Sequence, residues 1–104
     1  MSDYEYFIAI IKPIREGFFT DPTTDENQIM SDHFGYLKQL LADEKIILAG
    51  PAVDPKGPFG IIIFKTSSYE LAEEMLMADP SVKNNVQQIV ELQPFVLSLS
   101  SFPK

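Results

Sequence analysis

One imidazole is available to this chain. His33 is the only histidine among 104 residues, and there is no cysteine. Composition therefore excludes a thiolate nucleophile, a disulfide, an iron–sulfur cluster and a thiolate or histidine-rich metal site. A lone histidine can still transfer protons. It titrates near neutral pH, and a carboxylate on one ring nitrogen fixes the tautomer and aims the other. Met30, His33, Phe34, Leu37, Leu40 and Leu41 recur at steps of three and four, the period of an amphipathic helix's buried stripe; Asp32, Gln39 and Asp43 fall on the opposite face. An inward histidine is either a hydrogen-bonded core residue or a chemical group.

The bulk composition narrows the partners. Fifteen acidic against eight basic residues give a net charge of -7, which opposes phosphate backbones and anionic lipid, so neither nucleic acid nor membrane is an expected partner. Lys12 and Arg15 are close enough in sequence to form a local basic pocket for a small anion. No apolar run is long enough to span a bilayer, and the start, with Asp3 and Glu5, lacks the pattern of a signal peptide. The expectation is one cytoplasmic domain over residues 1–104.

The elements that must position His33 follow from the order of the chain. Tyr4 to Lys12 is rich in aromatic and β-branched residues and reads as a strand with apolar side chains on both faces. Arg15 to Glu26 reads as a long loop whose Phe18 and Phe19 fold back as a pocket wall, lid or satellite cluster. Thr24 or Asp25 caps a helix running to about Glu44, and Gly35 within it suggests a close approach to the backbone. Strands are expected at Ile46 to Gly50 and Phe59 to Lys65, joined through the turn Asp54-Pro55-Lys56-Gly57. Ser67 and Glu70 have capping-box spacing, which places a second helix from about Ser68 to Ala78 with Leu71, Ala72, Met75, Leu76 and Ala78 inward. That helix ends at Asp79-Pro80, because a residue before proline is pushed out of helical geometry. A loose turn over Ser81 to Asn85, a strand from Val86 to Gln93, and an extra C-terminal strand from Phe95 to Leu99 complete the expectation.

The order β-α-β-β-α-β predicts an α+β, ferredoxin-like fold: a four-stranded antiparallel sheet with two helices on one face. Its crossovers bring the start of the first helix, with His33, to the same rim as the close of the second, with Asp79. Lys12, Arg15, Gly50, Pro51 and Phe59 belong to that rim too. The sheet's other face is apolar and predicts a homodimer packed through it.

His33, Leu48-Ala49-Gly50-Pro51, Asp79-Pro80 and Gln93-Pro94-Phe95, in this order and spacing, resemble the YCII-related (YciI-like) family of small α/β proteins. The resemblance covers nearly the whole chain apart from the long loop, which is longer than is typical, and the last residues. It implies a ferredoxin-like dimer of the dimeric α/β-barrel type and an active site centred on His33 and Asp79. The family includes a dehydrochlorinase of a chlorinated hydroxyhydroquinone. On this basis His33 is expected to act as general base and Asp79 to orient it. Lys12 or Arg15 would stabilise a developing oxyanion, and Phe18, Gly50, Pro51 and Phe59 would contact an anionic or aromatic small molecule, with no cofactor and no metal. The reactions that suit such a pair are elimination, isomerisation and hydrolysis. A rival reading is a non-catalytic dimeric module that binds a small ligand in the same cleft. Ser31 and Tyr36 read as cap and surface residues.

Overall fold

The structure, a computed structural model, describes residues 4–101. Its elements are β1 (Tyr6–Pro13), a 3-10 turn (Glu16–Phe18), α1 (Thr24–Ala42), β2 (Ile46–Ala52), β3 (Phe59–Lys65), α2 (Tyr69–Met77), α3 (Pro80–Lys83) and β4 (Gln87–Phe95). The strands form one antiparallel sheet in the order β2-β3-β1-β4. This is the ferredoxin-like arrangement. No helix among the described residues is long and apolar enough to cross a membrane.

Period-two alternation sends Phe7, Ala9 and Ile11 of β1 to the helix-covered face. There they meet Ile62 and Phe64 of β3, with Phe7 directly opposite Phe64 and Ala9 opposite Ile62. Leu40 of α1 and Ala72 and Leu76 of α2 close the core above them. Burying a large apolar side chain of this kind stabilises the fold by roughly 1.5–3 kcal/mol. Opposite Ile11 stands Gly60, where a Cβ would lie 3.0 Å from Ile11 Cγ1, a tight contact that the buried Ile11 side chain would have to shift to relieve. On the other face Ile8 pairs with Ile63 and Ile10 with Ile61, giving the apolar surface that strand composition predicts.

Local chemistry sets the helix starts, one or two residues away from where spacing alone puts each cap. Thr23 is the N-cap of α1: its side chain accepts from Glu26 N–H while the Glu26 carboxylate accepts from Thr23 N–H, a reciprocal capping box. Ser68, rather than Ser67, caps α2 by accepting from Leu71 N–H. The inward stripe of α2 is narrower than expected, with Ala72 and Leu76 buried and Leu71 and Ala78 exposed. Along α1, Leu40 is buried, but Phe34 and Leu41 remain more than half exposed because they border an open cavity instead of packing on the sheet. Nothing lies within 4 Å of a Cβ placed on Gly35, so the close approach expected there is absent among the described residues.

Two further differences bear on the site. The stretch after Asp79 is a short helix, α3, instead of a loose turn, because Pro80 occupies its first position and Asp79 caps it. Strand β4 continues through Pro94 to Phe95, and residues 96–101 form no strand within the single chain. Pro94 is tolerated because β4 lies at the sheet edge, where no further strand needs its N–H. A bulge also interrupts β4: Ile10 faces Glu91 but Ile11 faces Ile89, leaving Val90 as the extra residue. Side-chain parity reverses across it. Leu92, Ile89 and Gln87, opposite Ala9, Ile11 and Pro13, therefore all turn toward the helices.

Candidate functional site

The close of α2 and the first half of α1 meet at one rim of the sheet. His33 Nδ1 lies 2.8 Å from Asp79 Oδ1 and 2.7 Å from Oδ2, and the Asp79 side chain is 1% exposed against 12% for His33. Asp79 stands there because the chain must leave helical geometry before Pro80, which frees its carboxylate to cap α3 by accepting from Ser81 N–H at 2.8 Å. A buried carboxylate needs partners, and this one has the Ser81 amide, the Ser81 hydroxyl at 2.9 Å and the imidazole. As an acceptor it holds the proton of the neutral ring on Nδ1. Nε2 then carries the lone pair and has no partner among the described residues.

Tyr36, one turn along α1 from His33, fixes the spacing of the two helices. Its hydroxyl donates to Met75 C=O at 2.8 Å, one of the carbonyls that the end of α2 leaves without an intrahelical partner. Burial pushes its phenol above the ordinary value, and the nearby charge of Asp79 pushes it the same way, so it stays a donor. The expectation of a surface tyrosine is corrected: Tyr36 packs on the core. Ser31 is exposed.

His33 lines a cavity of about 680 Å³ between α1 and the β2–β3 half of the sheet. Its walls are largely apolar, and of the residues expected to contact a small molecule it brings together Phe18, Gly50, Pro51 and Phe59. Lys12 and Arg15 lie elsewhere. They line a shallower neighbouring cleft with Lys56, separated from the cavity by Pro13, Phe19 and Pro58, which border both.

Arg15 is engaged. Its Nε donates to Glu26 Oε2 at 2.9 Å and its Nη2 to Glu26 Oε1 at 2.7 Å, while Nη2 also meets Asp21 C=O. This bidentate clamp closes the loop between β1 and α1 onto the first turn of α1. The hydrogen bond from Arg15, with that from the Thr23 amide, pulls the Glu26 carboxyl down to about 2, and the same bond raises the guanidinium further above its ordinary value. Arg15 is thus a loop clamp whose Nε and Nη2 are taken up by Glu26 and Asp21, and it lines the neighbouring cleft rather than the cavity. Lys12 places its Nζ 6.0 Å from the centre of the Phe59 ring. No three histidine, aspartate or glutamate residues gather as a metal-holding group among the described residues.

The fold and the rim together define a ferredoxin-like α+β domain with a buried histidine–carboxylate pair opening on an apolar cavity. The model of the YCII-related domain matches residues 6–96, and the chain belongs to that family. Among solved structures, the 5-chloro-2-hydroxyhydroquinone dehydrochlorinase of Burkholderia phenoliruptrix, in complex with 2,5-dihydroxybenzoquinone, is similar at a TM-score of 0.57 and 21% identity. The match covers 84% of this chain and 87% of that one. No protein of curated function matches the sequence.

Sequence reading missed Ser81 and Gln87. Ser81 Oγ is 2.9 Å from Asp79 Oδ1, 2.9 Å from Gln87 Oε1 and 3.2 Å from His33 Nδ1, and both residues are buried. Ser-Val-Lys-Asn after Pro80 offered a signal for a short capped helix; Gln87 offered none, since its facing depends on the bulge.

Proposed function

We propose that this protein is a small-molecule enzyme in which His33, oriented by Asp79, moves a proton to and from a substrate held in the apolar cavity. The observation that carries the proposal is the contact of His33 Nδ1 with both oxygens of a buried Asp79, at 2.8 and 2.7 Å, on a histidine that lines the cavity. With Nδ1 occupied, Nε2 is the basic nitrogen. It would take a proton from a carbon or hydroxyl of the substrate, leaving the electron pair to expel a leaving group, move a double bond or, if the proton comes from water, attack. The apolar walls, with Phe18 and Phe59 among them, suit a flat aromatic or quinonoid ring. The similar solved structure, a dehydrochlorinase binding a dihydroxybenzoquinone, supports that class of ligand.

The apolar sheet face around Ile8, Ile10, Ile61 and Ile63 supports a homodimer in which two sheets pack together in the manner of a dimeric α/β barrel. Light scattering on the wild type tests it, with a dimer expected and a monomer at tens of micromolar contradicting it. For the chemistry, the test is turnover of a panel of hydroxylated and chlorinated hydroquinones by the wild type and by His33→Gln. Loss of about 10²–10⁴-fold in rate with ligand binding retained is expected. Ligand binding unchanged by the substitution and no turnover by either protein would favour the non-catalytic binding module instead.

A further inference from the structure

Gln87 opens β4 and turns toward the helices only because of the bulge at Val90. It is 7% exposed, lines the same cavity as His33, and its Oε1 lies 2.9 Å from Ser81 Oγ. Its amide nitrogen has no acceptor among the described residues, yet no side-chain nitrogen or oxygen there is both fully buried and unpartnered. A carboxamide held by its oxygen on the inner side and left open at its nitrogen has one place to donate, the cavity. Ser81 joins the two arms of the site. Its hydroxyl, with a single proton to give, lies 2.9 Å from both Asp79 Oδ1 and Gln87 Oε1, so the serine that contacts the histidine's partner also contacts the glutamine.

We infer that Gln87 is the oxyanion-binding residue of the site: its amide N–H donates to the substrate oxygen that gains negative charge as His33 Nε2 withdraws a proton. The ligand class is a phenolate or enolate oxygen on a flat apolar ring. Ser81 is the positioning residue that presents the amide. The inference rests on the His33 base reading for its role in turnover, but not for its binding chemistry. Beside largely apolar walls a neutral donor favours an anion without itself titrating, and Arg15, paired with Glu26, lines the neighbouring cleft instead.

The test uses 4-nitrophenol, whose anion is coloured and whose neutral form is not, titrated across pH against the wild type and the Gln87→Met, Gln87→Glu, Ser81→Ala and His33→Gln variants. Wild type is expected to favour the anion. Gln87→Met should weaken anion binding by about tenfold or more while leaving the neutral form within about twofold, since a hydrogen bond to a charged group is lost and no volume is removed. Gln87→Glu should abolish anion binding, and it decides the question should Gln87→Met not fold. Ser81→Ala should lose part of the preference. The inference is overturned by an anion preference identical in wild type and Gln87→Met, by a wild-type preference for the neutral phenol, or by no binding of the probe at millimolar concentration. If Gln87→Met loses the preference and His33→Gln shows no effect on turnover, the inference stands and the base reading falls. If Gln87→Met keeps the preference and His33→Gln loses turnover, the inference falls and the base reading stands.

Discussion

Replacing Asp79 with asparagine separates the charge of the buried carboxylate from its shape. The Asp79→Asn amide oxygen can keep the Ser81 amide and hydroxyl, which now reach Oδ1 at 2.8 and 2.9 Å, so the cap of α3 survives. The new NH₂ takes the place of Oδ2, 2.7 Å from His33 Nδ1, and that donor-to-donor clash outweighs the contact Nδ1 could keep with Oδ1 at 2.8 Å, whose lone pairs already accept from the Ser81 amide and hydroxyl. The ring must hand its proton to Nε2, and a hydrogen bond to a charged group, about 1.5–3 kcal/mol, becomes a neutral one of about 0.5–1.5 kcal/mol. The expected loss is therefore about 1 kcal/mol, or roughly 4–8 °C in Tm for a domain of this size. Asp79→Ala removes the cap as well and strands the buried imidazole and serine donors, for about 3–5 kcal/mol in all. Urea denaturation of the three proteins measures the gap. Turnover should fall by orders of magnitude in Asp79→Asn despite its near-native stability, because the cavity then faces an N–H and no base. Equal destabilisation by asparagine and alanine, or an active Asp79→Asn enzyme, would refute the reasoning.

Three other perturbations test the supports of the site. Glu26 has its carboxyl lowered from an ordinary 4.5 to about 2 by Arg15 and Thr23, so the clamp's contribution to stability is complete above pH 4.5 and is lost as pH falls toward 2. Melting curves of wild type and Glu26→Gln should accordingly converge over that window; a gap that is constant from pH 6 to 2 contradicts the clamp. Tyr36→Phe removes the hydroxyl that satisfies Met75 C=O and should cost about 1 kcal/mol by urea denaturation, with no cost arguing that the strut is idle. Gly35→Ala, on an exposed helical surface with open space around its Cα, should stabilise by about 0.5–1 kcal/mol, whereas destabilisation would mean that another surface packs there.

Much of the architecture was legible because each element carries its own local signature. The aromatic and β-branched run of β1, the helical stripe around His33 and the Asp-Pro break at Asp79-Pro80 are all readable in isolation, and topology brings His33 and Asp79 to one rim. Tertiary effects were not. The capping residues differ by one or two positions because neighbouring Thr, Asp and Ser residues can all cap and only the backbone geometry chooses. Lys12 and Arg15 look equivalent in sequence, yet Glu26 claims one of them. Tyr36 lies between the stripe and the polar face, and the C-terminal carbonyl of α2 decides its side. Gln87 was invisible because regular alternation from Leu92 would send it to the opposite face; one extra residue, Val90, reverses this.

On the reading proposed above, Asp79 makes His33 a base whose lone pair faces the cavity. Nitrogen NMR of the imidazole tests it most directly, since the chain's single histidine gives an unambiguous pair of ring signals. In the neutral ring of the wild type, Nδ1 should carry the proton and Nε2 should show the shift of an unprotonated nitrogen, with Asp79→Asn exchanging the two. A wild-type ring protonated on Nε2, or a tautomer indifferent to Asp79, would contradict it.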